Sequence, residues 1–163
     1  LLGAVNGFDD EVGKAKSILS NNIENCSDIA RSYKEKNMRW VIVGDNNYGE
    51  GSSREHAAMT PRFLGCAVVI AKSFARIHET NLKKQGILAL TFEDSNDYDK
   101  IKEDDKISIS GLTDFEPDKP FECELQHVDG ISEKIILKHS YNSSQIEWFT
   151  AGSALNVLKN KTS

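Results

Sequence analysis

Between residues 44 and 56 the chain reads Gly44-Asp45-Asn46-Asn47-Tyr48-Gly49-Glu50-Gly51-Ser52-Ser53-Arg54-Glu55-His56. These residue types suit the binding of an anionic substrate. Glycines at 49 and 51 allow the backbone to approach a ligand or to take positive φ. Ser52 and Ser53 precede an expected helix start, where orphan N–H groups and the helix dipole favour negative charge. Arg54 adds a planar fork matched to a carboxylate or phosphate. Blander roles fit the same spacing: the serines as helix caps, and Arg54 as an ion-pair partner of Glu50 or Glu55. His56 beside two serines suggests nucleophilic catalysis. One helical turn on, however, its ring is expected to point at the core, and no carboxylate can be assigned to orient it.

The flanking elements determine where such a loop would stand. Trp40-Val41-Ile42-Val43 reads as a buried strand, so the loop leaves its carboxyl end, where α/β sheets commonly bind ligands. His56–Met59 has helical character, and Thr60-Pro61 reads as a cap and first-turn proline of a second helix ending at Gly65. Ala67–Ala71 is a second buried strand, Ser73 caps a helix over 74–85 that Gly86 stops, and Ile87–Leu90 is a third strand. The middle of the chain is therefore a βαβ arrangement.

On either side the pattern changes. Residues 1–26 are polar and weakly patterned, a surface segment with one short helix. Ser27 or Asp28 caps a helix carrying Ile29, Ala30 and Tyr33 that ends near Asn37. Half-exposed alternation marks strands over 106–110, 121–128 and 133–138, with a turn at Asp129-Gly130. Ser144-x-x-Glu147 reads as a capping box opening one last helix, whose two apolar stripes should dock on the sheet. The expected fold is α/β, a mixed central β-sheet flanked by helices, with residues 1–163 as a single domain.

Composition narrows the function. The charged and apolar fractions, 28% and 39%, are those of an ordinary soluble protein, and no apolar run approaches the roughly 20 residues of a membrane span. A formal net charge of −5, with no basic cluster beyond Lys83-Lys84, argues against a nucleic-acid face. Cys26, Cys66 and Cys123 are odd in number and widely spaced, which fits neither a disulfide framework nor a Cys-x-x-Cys site. They read as structural thiols in a reducing compartment. Leu1 is neither an initiator Met nor part of a basic leader, so the chain reads as a processed or excised piece.

Three separated motifs, Gly44–Ala58, Lys72–Gly86 and Gln145-Ile146-Glu147-Trp148-Phe149, resemble the C-terminal domain of aconitases of the mitochondrial type. The resemblance runs from about Arg39 to Leu158. Two departures, Asn46 for an acidic residue and Cys66-Ala67 for a Gly-Arg pair, leave Ser52-Ser53-Arg54 untouched.

The resemblance implies a three-layer swivelling domain that closes over a cluster-bearing body. It also implies reversible isomerisation of citrate to isocitrate through cis-aconitate, in the mitochondrial matrix. A [4Fe-4S] cluster, ligated outside this chain, acts as Lewis acid on the substrate. Ser52 falls on the serine that removes the carbon-bound proton, and Ser53 and Arg54 fall on substrate-binding positions. The chain is then inactive alone, with the cluster-bearing N-terminal domains of the same enzyme as partners and no membrane or nucleic acid expected. Arg76, His78 and Asn81 could line the cleft, although a capped helix under a sheet explains them equally. The alternatives are a related isomerase of isopropylmalate or homocitrate, an RNA-binding iron-regulatory homologue, and a non-catalytic anion-binding module.

Overall fold

The computed structural model describes residues 3–162. In place of the short helix expected near the start, Lys14–Lys16 (β1) and Ile23–Asn25 (β2) pair antiparallel. Turn chemistry decides this. Ser17 is buried, its hydroxyl accepts from the amides of Leu19 and Ser20 at 3.3 Å, and Asn21 takes the left-handed φ of 61° that closes the turn. Asparagine tolerates that conformation, and such side-chain bonds compete with a helix. Helix α1 (Cys26–Glu35) follows with Asn25 at its cap position and no side-chain cap bond, so neither Ser27 nor Asp28 caps it.

The central sheet has six strands in the order β3-β4-β5-β8-β7-β6. Strands β3 (Trp40–Gly44), β4 (Cys66–Ala71) and β5 (Leu88–Phe92) are parallel, joined by α2 (His56–Phe63) and α3 (Arg76–Lys84). Strands β6 (Lys106–Ser110), β7 (Phe121–Gln126) and β8 (Ser132–Lys138) form an antiparallel meander, which joins the parallel half where β5 meets β8 at Thr91↔Lys138 and Phe92↔Leu137. The composition of each half explains its pairing. Val69, Ile70, Leu88 and Leu90 are buried in apolar runs, as a sheet covered on both faces demands, whereas β6 and β7 alternate between exposed and covered residues.

Three expected boundaries moved. Helix α2 runs through Thr60-Pro61 without a break; the fixed φ of proline suits a helix, and the lost N–H removes one bond. Helix α3 starts at Arg76, not Phe74, because Ser73 is used elsewhere. The last helix is two, α4 (Ser143–Ala151) and α5 (Ala154–Thr162), divided at Gly152 with φ 91°. Its capping box is Asn142 with Gln145, two residues ahead of the expected Ser144 with Glu147. Asparagine ranks with serine as a cap, and Asn142 holds the extended φ and ψ that a cap needs. Only part of the expected apolar face docks: Ile146 and Phe149 pack on the core, while Leu155 and Leu158 stay exposed.

Candidate active site

The first half of the loop after β3 is bound to the segment that enters α3. The amide of Asn47 donates to Ser73 Oγ at 2.7 Å, the amide of Tyr48 to the carbonyl of Ser73 at 2.9 Å, and the amide of Ala75 to the carbonyl of Tyr48 at 2.9 Å. Tyr48 and Phe74 thereby form a parallel bridge, and their rings meet edge to face at 6.1 Å. Serine 73 is thus the hook for this loop rather than the cap of α3. An ion pair at the base, Lys72 Nζ to Asp45 Oδ1 at 2.9 Å, holds the Asp45 carboxyl below its usual range. The loop projects beyond the carboxyl ends of β3 and β4, the ligand side of a parallel sheet.

Its distal half is shaped by Gly49 and His78. Gly49 has φ 88°, and a Cβ there would lie 2.3 Å from Cδ2 and Cγ of His78. Glycine is required on both counts. Gly51 also has positive φ, 76°, but faces open space. Between them the chain turns tightly, with the Ser52 amide donating to the Gly49 carbonyl at 2.9 Å. The imidazole of His78 is buried, inclined against the Tyr48 ring at 5.5 Å, and its pKa is pushed below the ordinary value by burial, an effect the nearby Ser52 main chain partly offsets.

Loop and helix enclose a concavity of about 330 Å³ lined by Gly49, Glu50, Gly51, Ser52, Ser53, Arg76 and His78 among others. Ser52 is half-buried and Ser53 exposed. Neither caps α2, whose cap position is Glu55 with no side-chain cap bond. Two hydroxyls therefore stand free of helix capping at one recess.

The remaining candidates are distributed differently. Arg54 is exposed and outside the lining; among the described residues no ion pair joins it to Glu50 or Glu55, and Glu55 instead faces Lys84 at 3.8 Å. The ring of His56 is exposed rather than turned to the core, at the outer start of α2. Arg76 and His78, which helix packing explained equally well, both line the recess. Their signal in the sequence was Ser73: a serine read as a cap concealed that the segment after it faces the loop.

A profile of the Aconitase C-terminal domain family matches residues 2–95, the stretch that contains the whole of this loop and α3. The chain belongs to that family. Among its relatives are the mitochondrial aconitate hydratases of Gracilaria gracilis, 52% identical over 98% of this chain, and of Saccharomyces cerevisiae, 48% identical over 98%. A probable mitochondrial aconitate hydratase of Dictyostelium discoideum is 52% identical over 99%. The chain spans about a fifth of the length of these relatives. A crystal structure of 3-isopropylmalate dehydratase from Methanocaldococcus jannaschii shares the fold, with a TM-score of 0.53 and 23% identity over 85% of this chain and 80% of that one.

For an aconitase C-terminal domain the cysteines raise the question of the cluster. Cys66 and Cys123 are buried, and desolvation pushes each thiol up to about 12, the opposite of the thiolate that an iron ligand must be. Burial raises Cys26 as well. Among the described residues no three His, Cys, Asp or Glu side chains gather as a metal site. The donor set of this domain does not fit an iron-sulfur cluster.

Proposed function

We propose that this chain is the part of a mitochondrial aconitate hydratase, an enzyme of the citric acid cycle interconverting citrate and isocitrate through cis-aconitate, that carries the base and part of the substrate clamp. In this reading the [4Fe-4S] cluster is held by other domains of the same enzyme, and this domain closes over them as the swivelling piece. Ser52 Oγ takes the proton from the substrate carbon, the C–H electron pair becoming the new C=C bond as hydroxide departs on the other side. Ser53 hydrogen-bonds a substrate carboxylate, and Arg54, exposed beside the recess and without a carboxylate partner among the described residues, clamps another.

A serine hydroxyl is a poor base unless its anion is stabilised, and a site closed from water with fixed dipoles supplies that stabilisation. The observation that carries the proposal is the placement of Ser52 and Ser53 on one recess, released from helix capping and fixed from behind by Gly49 on His78. Membership of the family and relatives named mitochondrial aconitate hydratases support the identity of the reaction and the compartment.

The deciding experiment is Ser52→Ala in the full-length protein. The hydroxyl removes a proton only in the transition state, whereas its ground-state role is one hydrogen bond of about 1 kcal/mol. The expected result is a kcat lower by several orders of magnitude with KM and cluster content close to wild type. Ser53→Ala is expected to raise KM instead. Normal turnover in Ser52→Ala would remove the base from this reading.

A further inference from the structure

Helix α3 opens on the recess with its first turn unsatisfied. The amides of Arg76, Ile77 and His78 come too early in the helix to have an intrahelical acceptor, and among the described residues none of them donates to a side chain or to another stretch of main chain. Ala75 stands at the cap position with φ −67° and ψ 127°, the extended conformation that a capping serine, aspartate or asparagine holds, yet its methyl offers no acceptor. The amide of Ala75 itself goes to the Tyr48 carbonyl, so the cap position is fixed against the loop while the amides behind it stay open. Ala75, Arg76, Ile77 and His78 all line the concavity.

An uncapped helix end is not in itself a binding site, and α1 and α2 also lack a side-chain cap bond. What separates α3 is the polar side chain at its third position. His78 is 4% exposed and lines the recess, and its Nδ1 has no hydrogen-bond partner among the described residues. Side chains on a helix lean toward its N-terminus, which here is the recess. A buried polar atom left unpaired calls for an explanation, and a ligand in the recess is the partner that the protein does not provide. Arg76 adds charge at the same end: it is exposed, and Glu79, the acidic residue one turn on, is taken by Lys83 at 2.9 Å. Glu50, on the loop, is the carboxylate of the lining, so an anion sits best toward α3.

We infer that the first turn of α3 is an anion subsite of the recess: the amides of Arg76, Ile77 and His78, the His78 imidazole and the Arg76 guanidinium together hold a carboxylate of the substrate, across from the wall that carries Ser52 and Ser53. The inference rests on the reading of the recess as the substrate site. Open amides and the helix dipole favour negative charge at this end, and a guanidinium beside them adds a charge-assisted bond. A tricarboxylate has to be held at separate points if one C–H bond is to stand at Ser52 Oγ. Arg54 lies outside the lining, so a second cationic contact within the recess falls to Arg76. Leaving Ala75 without a capping group sacrifices stability, and an open anion site is what that loss preserves.

Two substitutions in the full-length protein test this, read by steady-state kinetics with citrate and by calorimetric titration of propane-1,2,3-tricarboxylate, the substrate skeleton without its hydroxyl. Arg76→Gln removes the charge. Ala75→Asn places a neutral acceptor over the same amides, where it should cap the helix and raise the melting temperature. Each is expected to raise KM and the Kd of the tricarboxylate about tenfold, with a smaller effect on kcat. Ala75→Asn that melts higher but binds the tricarboxylate as the wild type does would overturn the proposal. So would Arg76→Gln with both constants within about twofold of wild type, a comparison that stands even where the asparagine variant fails to fold. Weaker binding of inorganic phosphate alone, with KM for citrate unchanged, would give the helix end to a free anion and overturn the substrate assignment. Ser52→Ala is titrated alongside. Because Kd is read without turnover, a normal kcat in Ser52→Ala removes the base assignment while the tricarboxylate data still decide the subsite; a wild-type protein that bound no tricarboxylate would remove the reading of the recess itself.

Discussion

Two buried histidines mark contrasting regions of the molecule, one whose imidazole is fully paired and one whose imidazole keeps a nitrogen without a partner among the described residues. At the antiparallel end, His127 stands after β7 with both ring nitrogens engaged, Nδ1 to Asp105 Oδ1 at 2.6 Å and Nε2 to Glu133 Oε2 at 2.8 Å. Asp105 immediately precedes β6 and Glu133 lies on β8, so one imidazole ties three neighbouring strands. At the parallel end, His78 keeps a nitrogen without a partner among the described residues, beside the glycine loop that carries Ser52 and Ser53. Full satisfaction of buried polar groups specifies a single arrangement. Incomplete satisfaction is tolerated where the remaining requirement is set by something other than stability, and here it coincides with the recess that holds Ser52.

The largest expected effect comes from putting a side chain where that loop rests. Gly49→Ala would press a Cβ into the His78 ring at positive φ, and we expect a loss of about 2–4 kcal/mol in stability, from overpacking and backbone strain together, with turnover nearly abolished. The matching substitution at the other end, Gly130→Ala in the β7–β8 turn, also has positive φ, 86°, but meets nothing. It should cost about 1 kcal/mol and leave kcat unchanged. Calorimetry and steady-state kinetics on both variants test the contrast, and equal kinetic damage from the two would dissolve it.

The difference between the regions also shows what a sequence can reveal. The three parallel strands were legible because Trp40–Val43, Ala67–Ala71 and Ile87–Leu90 are apolar runs bounded by turn residues, and the meander was legible from its alternation. The serines and glycines of the loop were legible as types. Their surroundings were not, because a hook such as Ser73 Oγ on Asn47 spans 26 residues and has no local signature. The same holds for Asp105, His127 and Glu133, which no motif unites, and for the break at Gly152 inside what reads as one helix. Serine before a helix reads by frequency as a cap, yet Ser73 hooks the loop instead, the caps expected at Ser27 and Ser144 fall to Asn25 and Asn142, and Ser52 and Ser53 make no cap bond to α2.

Intermediate effects should separate catalysis from architecture. Arg54→Lys replaces a fork by a point charge, and with Arg54 in its proposed role of carboxylate clamp, acting in both ground and transition states, we expect KM to rise about tenfold and kcat to fall as well. Both constants within twofold of wild type would make Arg54 a surface residue of the loop. At the other end, His127→Gln cannot span Asp105 and Glu133 together, and should lower the melting temperature while KM and kcat of the full-length protein stay as they are. A kinetic change there would mean that the two regions are coupled through the sheet.

The smallest effect is the most discriminating, because the two histidines should respond to pH with opposite sign. Burial lowers the pKa of His78 below 6.5, so as pH falls past 6.5 the unfolded chain takes up a proton that the native state resists; stability is intact above 6.5 and declines as pH falls through the native value. His139, lowered likewise by burial, adds to the same slope. For His127, hydrogen bonds to Glu133 and then Asp105 raise the pKa, so the native state keeps a proton that the unfolded chain has released; this stabilisation is complete below 6.5 and lost as pH rises through the native value. Melting temperatures of the full-length protein across both windows should therefore flatten on the acid side in His78→Gln, leaving the slope due to His139, and flatten on the alkaline side in His127→Gln. If His127→Gln altered the acid slope instead, its imidazole would be neutral in the native state, and the carboxylate pair around it would hold the strands by hydrogen bonds alone.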